Sequence, residues 1–124
     1  MKLIRKLFPT KEMRRYRKMY RRHRKDLIKL AKETREYDWG WLHDMVLLQI
    51  RNMLEYYSDG ANVWQTDDSR QDIINKLQEV LDIQKEIEER EIDLERPLDG
   101  LNKEAELYEK FYATVGKNIM WWWD

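Results

Sequence analysis

Only two prolines and four glycines punctuate this chain, and that scarcity excludes more folds than any other feature. Sandwiches and barrels need a turn roughly every 8–12 residues, and those turns draw on Gly and Pro. Between the few interruptions, apolar residues recur at alternating steps of three and four, the period of one helix face. No strand-like alternation competes with it. The chain is expected to be all-α: a three- to four-helix up-down bundle with an extended basic N-terminal helix. At 124 residues it has the length of one domain, with 1–36 as the basic helix and 37–124 as the helical core.

The first helix is expected from an N-cap at Thr10, through Glu12 in its first turn, to about Arg35. A short basic lead, Met1–Phe8, precedes it and Pro9 closes that lead. Its seam is Met13, Tyr16, Tyr20, His23, Leu27, Leu30 and Thr34, and nearly everything else is Arg or Lys. Asp38 suits the N-cap of a second helix, Trp39 to about Tyr57. Trp41, Leu42, Met45, Val46, Leu48, Ile50, Met53, Leu54 and Tyr57 make that helix apolar over much of its circumference, which suits a central position. Leu42 is expected in the core. Ser58 to Asn62 is a turn cluster, followed by a loop through Val63 and Trp64. A third helix is expected from a capping-box-like start at Ser69 to about Glu95, with the stripe Ile73, Leu77, Val80, Gln84 and Ile87. Pro97 and Gly100 mark the next break. A fourth helix is expected from about Asn102, with the stripe Ala105, Tyr108, Phe111, Val115, Ile119 and Trp122.

That last stripe bears on the three consecutive tryptophans at 121–123. Neighbours on a helix point about 100° apart. Trp122 continues the core-facing row, so Trp121 and Trp123 fall on its flanks, where they suit a groove or an interface.

The formal net charge is zero, but the charge is sorted: residues 1–36 hold 15 Lys or Arg and four Asp or Glu, and the remainder hold nine and 20. Such asymmetry is informative where the total is not. The absence of Cys removes disulfides and thiolate metal sites and fits a reducing compartment. No apolar run approaches the ~20 residues that span a bilayer, and MKLIRKLF is too short for a signal peptide. The expected location is the cytoplasm, with no membrane association.

Tyr37-Asp38-Trp39-Gly40-Trp41-Leu42, opening an apolar helix with Arg51-Asn52-Met53, resembles a segment found in a group of small bacteriophage proteins. Those proteins also tend to end on a Gly-Lys-Asn tail that runs into Trp-Trp-Asp, here Gly116 to Asp124. The resemblance covers residues 37–124 best and the basic first helix least. It implies a phage origin, and hence the cytoplasm of an infected bacterial host. It supplies no activity and no site residues. All-helical phage proteins of this size include sponges that sequester host immune nucleotides, and membership among them is a further expectation.

Two constellations could hold a ligand. Arg14, Arg17, Arg21 and Arg24, with Tyr16, Tyr20 and Lys25, could clamp phosphate, since guanidinium groups bind it bidentately and aromatics stack bases. The competing reading pairs this face with the acidic third helix or leaves it solvated. Tyr37, Trp39, Trp41, Trp121 and Trp123 could form a stacking wall for a planar ligand, and the competing reading makes them core or oligomer contacts. His43 beside Asp44, with Asp38 one turn back, joins the ligand-binding candidates. It lacks the second His at i+3 or i+4 that a zinc site wants. No phosphate loop, nucleophile elbow or HExxH motif occurs.

The expected function is binding without chemistry: capture of a small anionic ligand, a host immune signalling nucleotide foremost, by Arg and aromatic side chains, with no cofactor and no metal. The alternative is a protein-interaction inhibitor that docks on a host or phage protein through exposed Trp and Arg. Surplus apolar stripe points to a homo-oligomer. Duplex nucleic acid ranks behind a small ligand, and a nucleotide hydrolase ranks last.

Overall fold

The computed structural model describes residues 11–33, 38–59, 67–90 and 94–122. The fold is all-α, with four helices and no strand among the described residues: α1 (Lys11–Lys32), α2 (Trp39–Asp59), α3 (Asp67–Glu89) and α4 (Pro97–Asn118), then a 3₁₀ turn over Ile119–Trp121. The chain divides into two compact units, Met1–Trp64 and Gln65–Asp124. Each is a pair of packed helices. Thr10, Tyr37, Val63, Trp64 and Trp123 lie outside the described residues.

In the first unit, Asp38 caps α2 as its sequence suggests. The Gly40 N–H donates to Asp38 Oδ1 at 2.9 Å, filling one of the donors a helix start leaves unpaired. Glycine suits that position, because a Cβ there would come within 3.2 Å of the same oxygen. α2 runs antiparallel to α1. The Trp41 indole N–H donates to the Leu30 carbonyl at 3.3 Å, the Tyr16 and Tyr56 rings meet with centroids 5.7 Å apart, and Arg15 reaches Asp59.

The buried face of α1 differs from the expected seam. Met19 is the buried apolar residue there, while Tyr16 and Tyr20 are exposed and His23, Leu27 and Leu30 are partly covered. Met19 lies about 60–100° round the helix from the two tyrosines. Tyrosine has a polar tip and remains soluble at a rim, so the heavier aromatic stripe drew the predicted seam off the true contact. On α2, His43, Leu47, Ile50, Asn52 and Tyr57 are buried. Leu42, expected in the core, is 58% exposed. It sits in the first turn, where little of α1 extends beyond the Leu30–Trp41 contact.

The second unit follows its sequence more closely. Ile73, Leu77, Val80, Gln84 and Ile87 are all buried, joined by Ile83. From α4 they meet Phe111, Val115 and Asn118, with Trp122 beyond the helix end. Leu77, Val80 and Phe111 are fully enclosed, and at ~25 cal/mol per Å² such burial is what holds a two-helix unit together. α4 starts at Pro97, earlier than the expected Asn102. Proline at N1 gives up an N–H that would be unpaired anyway, and Asp99 favours the first turn. Gly100 therefore lies inside the helix, not at a break. Arg90 ties the two helices at their junction, with Nη2 2.6 Å from Glu104 Oε2 and Nη1 donating to the Gly100 carbonyl at 3.0 Å.

Of the expected α4 stripe Phe111, Val115 and Trp122 are buried and Tyr108 is half-buried, while Ala105 and Ile119 are exposed and Asn118 is buried beside Val115. Asn118 follows Phe111 by seven residues and so returns to the same helix face, whereas Ile119 falls about 80° away from it and is exposed. Trp122 leaves the helix altogether, at φ −90° and ψ 77°. It is buried as expected, and Trp121 is 69% exposed.

Candidate basic groove on the first helix pair

α1 carries eleven Lys or Arg against Glu12 and Asp26. Four of them, Arg15, Lys18, Arg22 and Lys25, recur at 3-4-3 spacing and so share one flank of the helix. That flank forms a groove with the C-terminal part of α2. Its lining is Arg15, Lys18, Met19, Arg21, Arg22, Lys25, Glu55 and Asp59, and its volume is about 630 Å³, within the usual span of small-ligand sites.

Two carboxylates already occupy part of this basic field. Arg15 Nε lies 3.0 Å from Asp59 Oδ1, and its Nη2 donates to the Asp59 carbonyl at 3.3 Å. Arg22 pairs with Glu55 through Nη2 and Oε1. Glu55 and Asp59 stand about one turn apart on α2 and Arg15 and Arg22 nearly two turns apart on α1, a difference that the long arginine side chains span. Both arginines are about half exposed, and exposed pairs of this kind contribute only ~0–1 kcal/mol each. Lys18, Arg21 and Lys25 have no ion-pair partner among the described residues. The groove thus keeps a cationic surplus.

His23 borders the same pairs. Its Nε2 lies 3.3 Å from Glu55 Oε2. Burial, and then the neighbouring Arg22 charge, lower its pKa below the usual 6.5, with Asp26 opposing. Near neutral pH His23 is uncharged, so the contact with Glu55 is a hydrogen bond donated by Nε2–H, not a second ion pair.

Of the ten ligand-binding candidates read from sequence, Arg21 lines the groove. Arg14, Arg17 and Arg24 are exposed on the outer face of α1, and the Arg24 guanidinium sits 5.7 Å from the centre of the Tyr20 ring. Trp41 spends its N–H on the helix pairing, Trp39 is exposed, and His43 is buried. Trp121 belongs to the other unit, and Tyr37 and Trp123 lie outside the described residues. The aromatic wall is therefore not assembled within the groove. Tyr16 instead stacks on Tyr20 and meets Tyr56 at a tilt, on the α1 flank about 160° round from Arg15, Lys18, Arg22 and Lys25. The groove also takes in Lys25, named with the candidate arginines, and adds Arg15, Lys18 and Arg22, which share a 3-4-3 spacing with it in sequence. It also adds Met19, Glu55 and Asp59, which only the helix pairing brings in. Among the described residues no group of three or more His, Asp or Glu could hold a metal ion, and no helix is long and apolar enough to cross a membrane.

Comparison with protein families, with curated proteins and with solved structures gives no match for this chain.

Proposed function

We propose that the protein is a non-enzymatic binder of a small anionic ligand, a nucleotide foremost, held in the α1–α2 groove. The observation that carries this reading is the cationic surplus of the groove: Lys18, Arg21 and Lys25 line a ligand-sized hollow with no acidic partner among the described residues. Arg15 and Arg22 stand beside them, held only by weak exposed pairs. A charge field concentrated in a groove raises the local concentration of anions and their rate of capture. The resemblance to small phage proteins extends the proposal to sequestering a host immune signalling nucleotide in the cytoplasm of an infected cell. Self-association is part of the same proposal, because Trp121, Met120, Trp39 and Leu42 leave apolar surface exposed.

The test is a thermal-shift titration with common and cyclic nucleotides at fixed protein concentration. A ligand that binds only the folded state stabilises it by RT ln(1 + [L]/Kd), about 2.7 kcal/mol at one hundred times Kd. The Lys18→Glu, Arg21→Glu and Lys25→Glu variants should lose that response while melting close to the parent without ligand. Silence of the parent across the panel overturns the proposal and favours the second reading, a protein-interaction inhibitor docking through exposed Trp121 and the arginines on the outer face of α1.

A further inference from the structure

We infer that the groove reads phosphate charge and not the base, and that Glu55 and Asp59 set a charge threshold, so the ligand class is a compact polyphosphate with at least three negative charges. This rests on the reading of the groove as an anion site and names what that site selects.

Three observations lead to it. First, two of the three arginines that line the groove are already held by carboxylates: Arg15 by Asp59 and Arg22 by Glu55. The cations left over are chiefly lysines, which act as point charges and favour charge density over shape. Second, no aromatic ring among the described residues lines the groove. The nearby rings are committed to one another on the opposite flank of α1, so a base finds no stacking surface there. Third, an incoming anion competes with an internal one. A singly charged ligand gains from the unpaired cations but cannot displace Glu55 or Asp59, which are already in place and tethered. A ligand with three or four charges can engage Lys18, Arg21 and Lys25 and also draw Arg15 and Arg22 off their carboxylates. The unpaired three span about 10 Å of helix axis, a length that flexible side chains can close onto two or three linked phosphates. A terminal phosphate carries close to two charges, whereas a diester in a nucleic-acid strand carries one, so a short polyphosphate brings the most charge into a bounded groove.

The experiment is isothermal titration of the full chain, at one salt concentration and without divalent cations, with inorganic triphosphate, ATP, GTP, AMP, a cyclic dinucleotide and a single-stranded oligonucleotide. Triphosphate, ATP and GTP should bind within about threefold of one another, and AMP at least about tenfold more weakly, a gap of roughly 1.4 kcal/mol. Glu55→Gln and Asp59→Asn should each narrow the gap between AMP and triphosphate, because each releases an arginine. Their unliganded melting curves show whether the helix pair is intact, and either variant alone decides the point. A cyclic dinucleotide or oligonucleotide that binds tightly and resists competition by triphosphate overturns the inference while leaving the anion site standing. So does an unchanged gap in both folded variants. If no anion in the set binds, the anion site and the inference fall together.

Discussion

Trp122 places an indole in the second unit's core, yet its Nε1–H is buried with no acceptor among the described residues. A buried donor without a partner costs about 1–3 kcal/mol, which offsets part of what the ring contributes. Two substitutions separate the terms. Trp122→Ala removes the ring and should cost about 3–5 kcal/mol by denaturant unfolding. Trp122→Phe removes the N–H and keeps most of the apolar area, and should stay within about 1 kcal/mol of the parent. Equal losses in the two variants would show that the N–H is satisfied in solution. His23 makes a second prediction at this scale. Its folded-state pKa is lowered, first by burial and then by Arg22, so below pH 6.5 the unfolded chain takes up the proton before the folded one does. Stability should therefore be intact above 6.5 and fall as the pH drops through the window between the unfolded and the folded pKa. Melting curves from pH 7.5 to 4.5 should show this loss. His23→Gln should flatten that part of the profile, leaving the carboxylate titrations lower down.

At the scale of elements, α2 depends on its cap. Asp38→Ala removes the bond to the Gly40 N–H and should cost about 1 kcal/mol in the denaturation midpoint, with Asp38→Asn retaining most of it. Asp38 was legible because a cap is a local device, set by residues two or three apart. The α3 stripe was legible for a related reason: its five apolar or amide positions recur at 4-3-4-3 spacing along a helix rich in charge, and all five are buried. α1 was less so. Its tyrosines and leucines offered a broader apolar arc than the helix uses, and the contact settled on Met19, one residue off that arc. The end of α4 failed differently: Asn118 and Ile119 stand three and four residues beyond Val115, periodicity permits either, and hydropathy favours Ile119 although Asn118 is the one buried. Of the groove, Arg21 and Lys25 were named from sequence, while the 3-4-3 spacing that joins Arg15, Lys18 and Arg22 to Lys25 was passed over for the arginines at 14, 17 and 24. Glu55 and Asp59 were not legible, because they lie 33 and 44 residues from the arginines they meet.

At the scale of the whole molecule, zero net charge and a pI near 6.8 conceal a basic first third and an acidic remainder. Near neutral pH no overall repulsion keeps copies apart, and the basic stretch of one copy can meet the acidic stretch of another. Light scattering at micromolar concentration should report a dimer or larger species at low salt. If charge sorting drives the association, it should weaken as ionic strength rises and the Debye length shrinks to about 3 Å at 1 M. Association that persists at high salt would assign it to the exposed Trp and Leu side chains instead. A monomer under all these conditions would remove self-association from the reading.

The helix pairing within each unit has a kinetic corollary. In the first unit the most distant side-chain bond joins Arg15 to Asp59, 44 residues apart, and in the second α4 packs against its neighbour in sequence. Closing loops of this length costs an entropy that grows only as the logarithm of the length. Chains whose contacts are so local reach the native state in microseconds to milliseconds. Tryptophan fluorescence after a temperature jump should relax on that timescale. A freshly made chain would then bury its apolar faces almost as soon as they emerge, exposing them only briefly to other chains in a crowded cell.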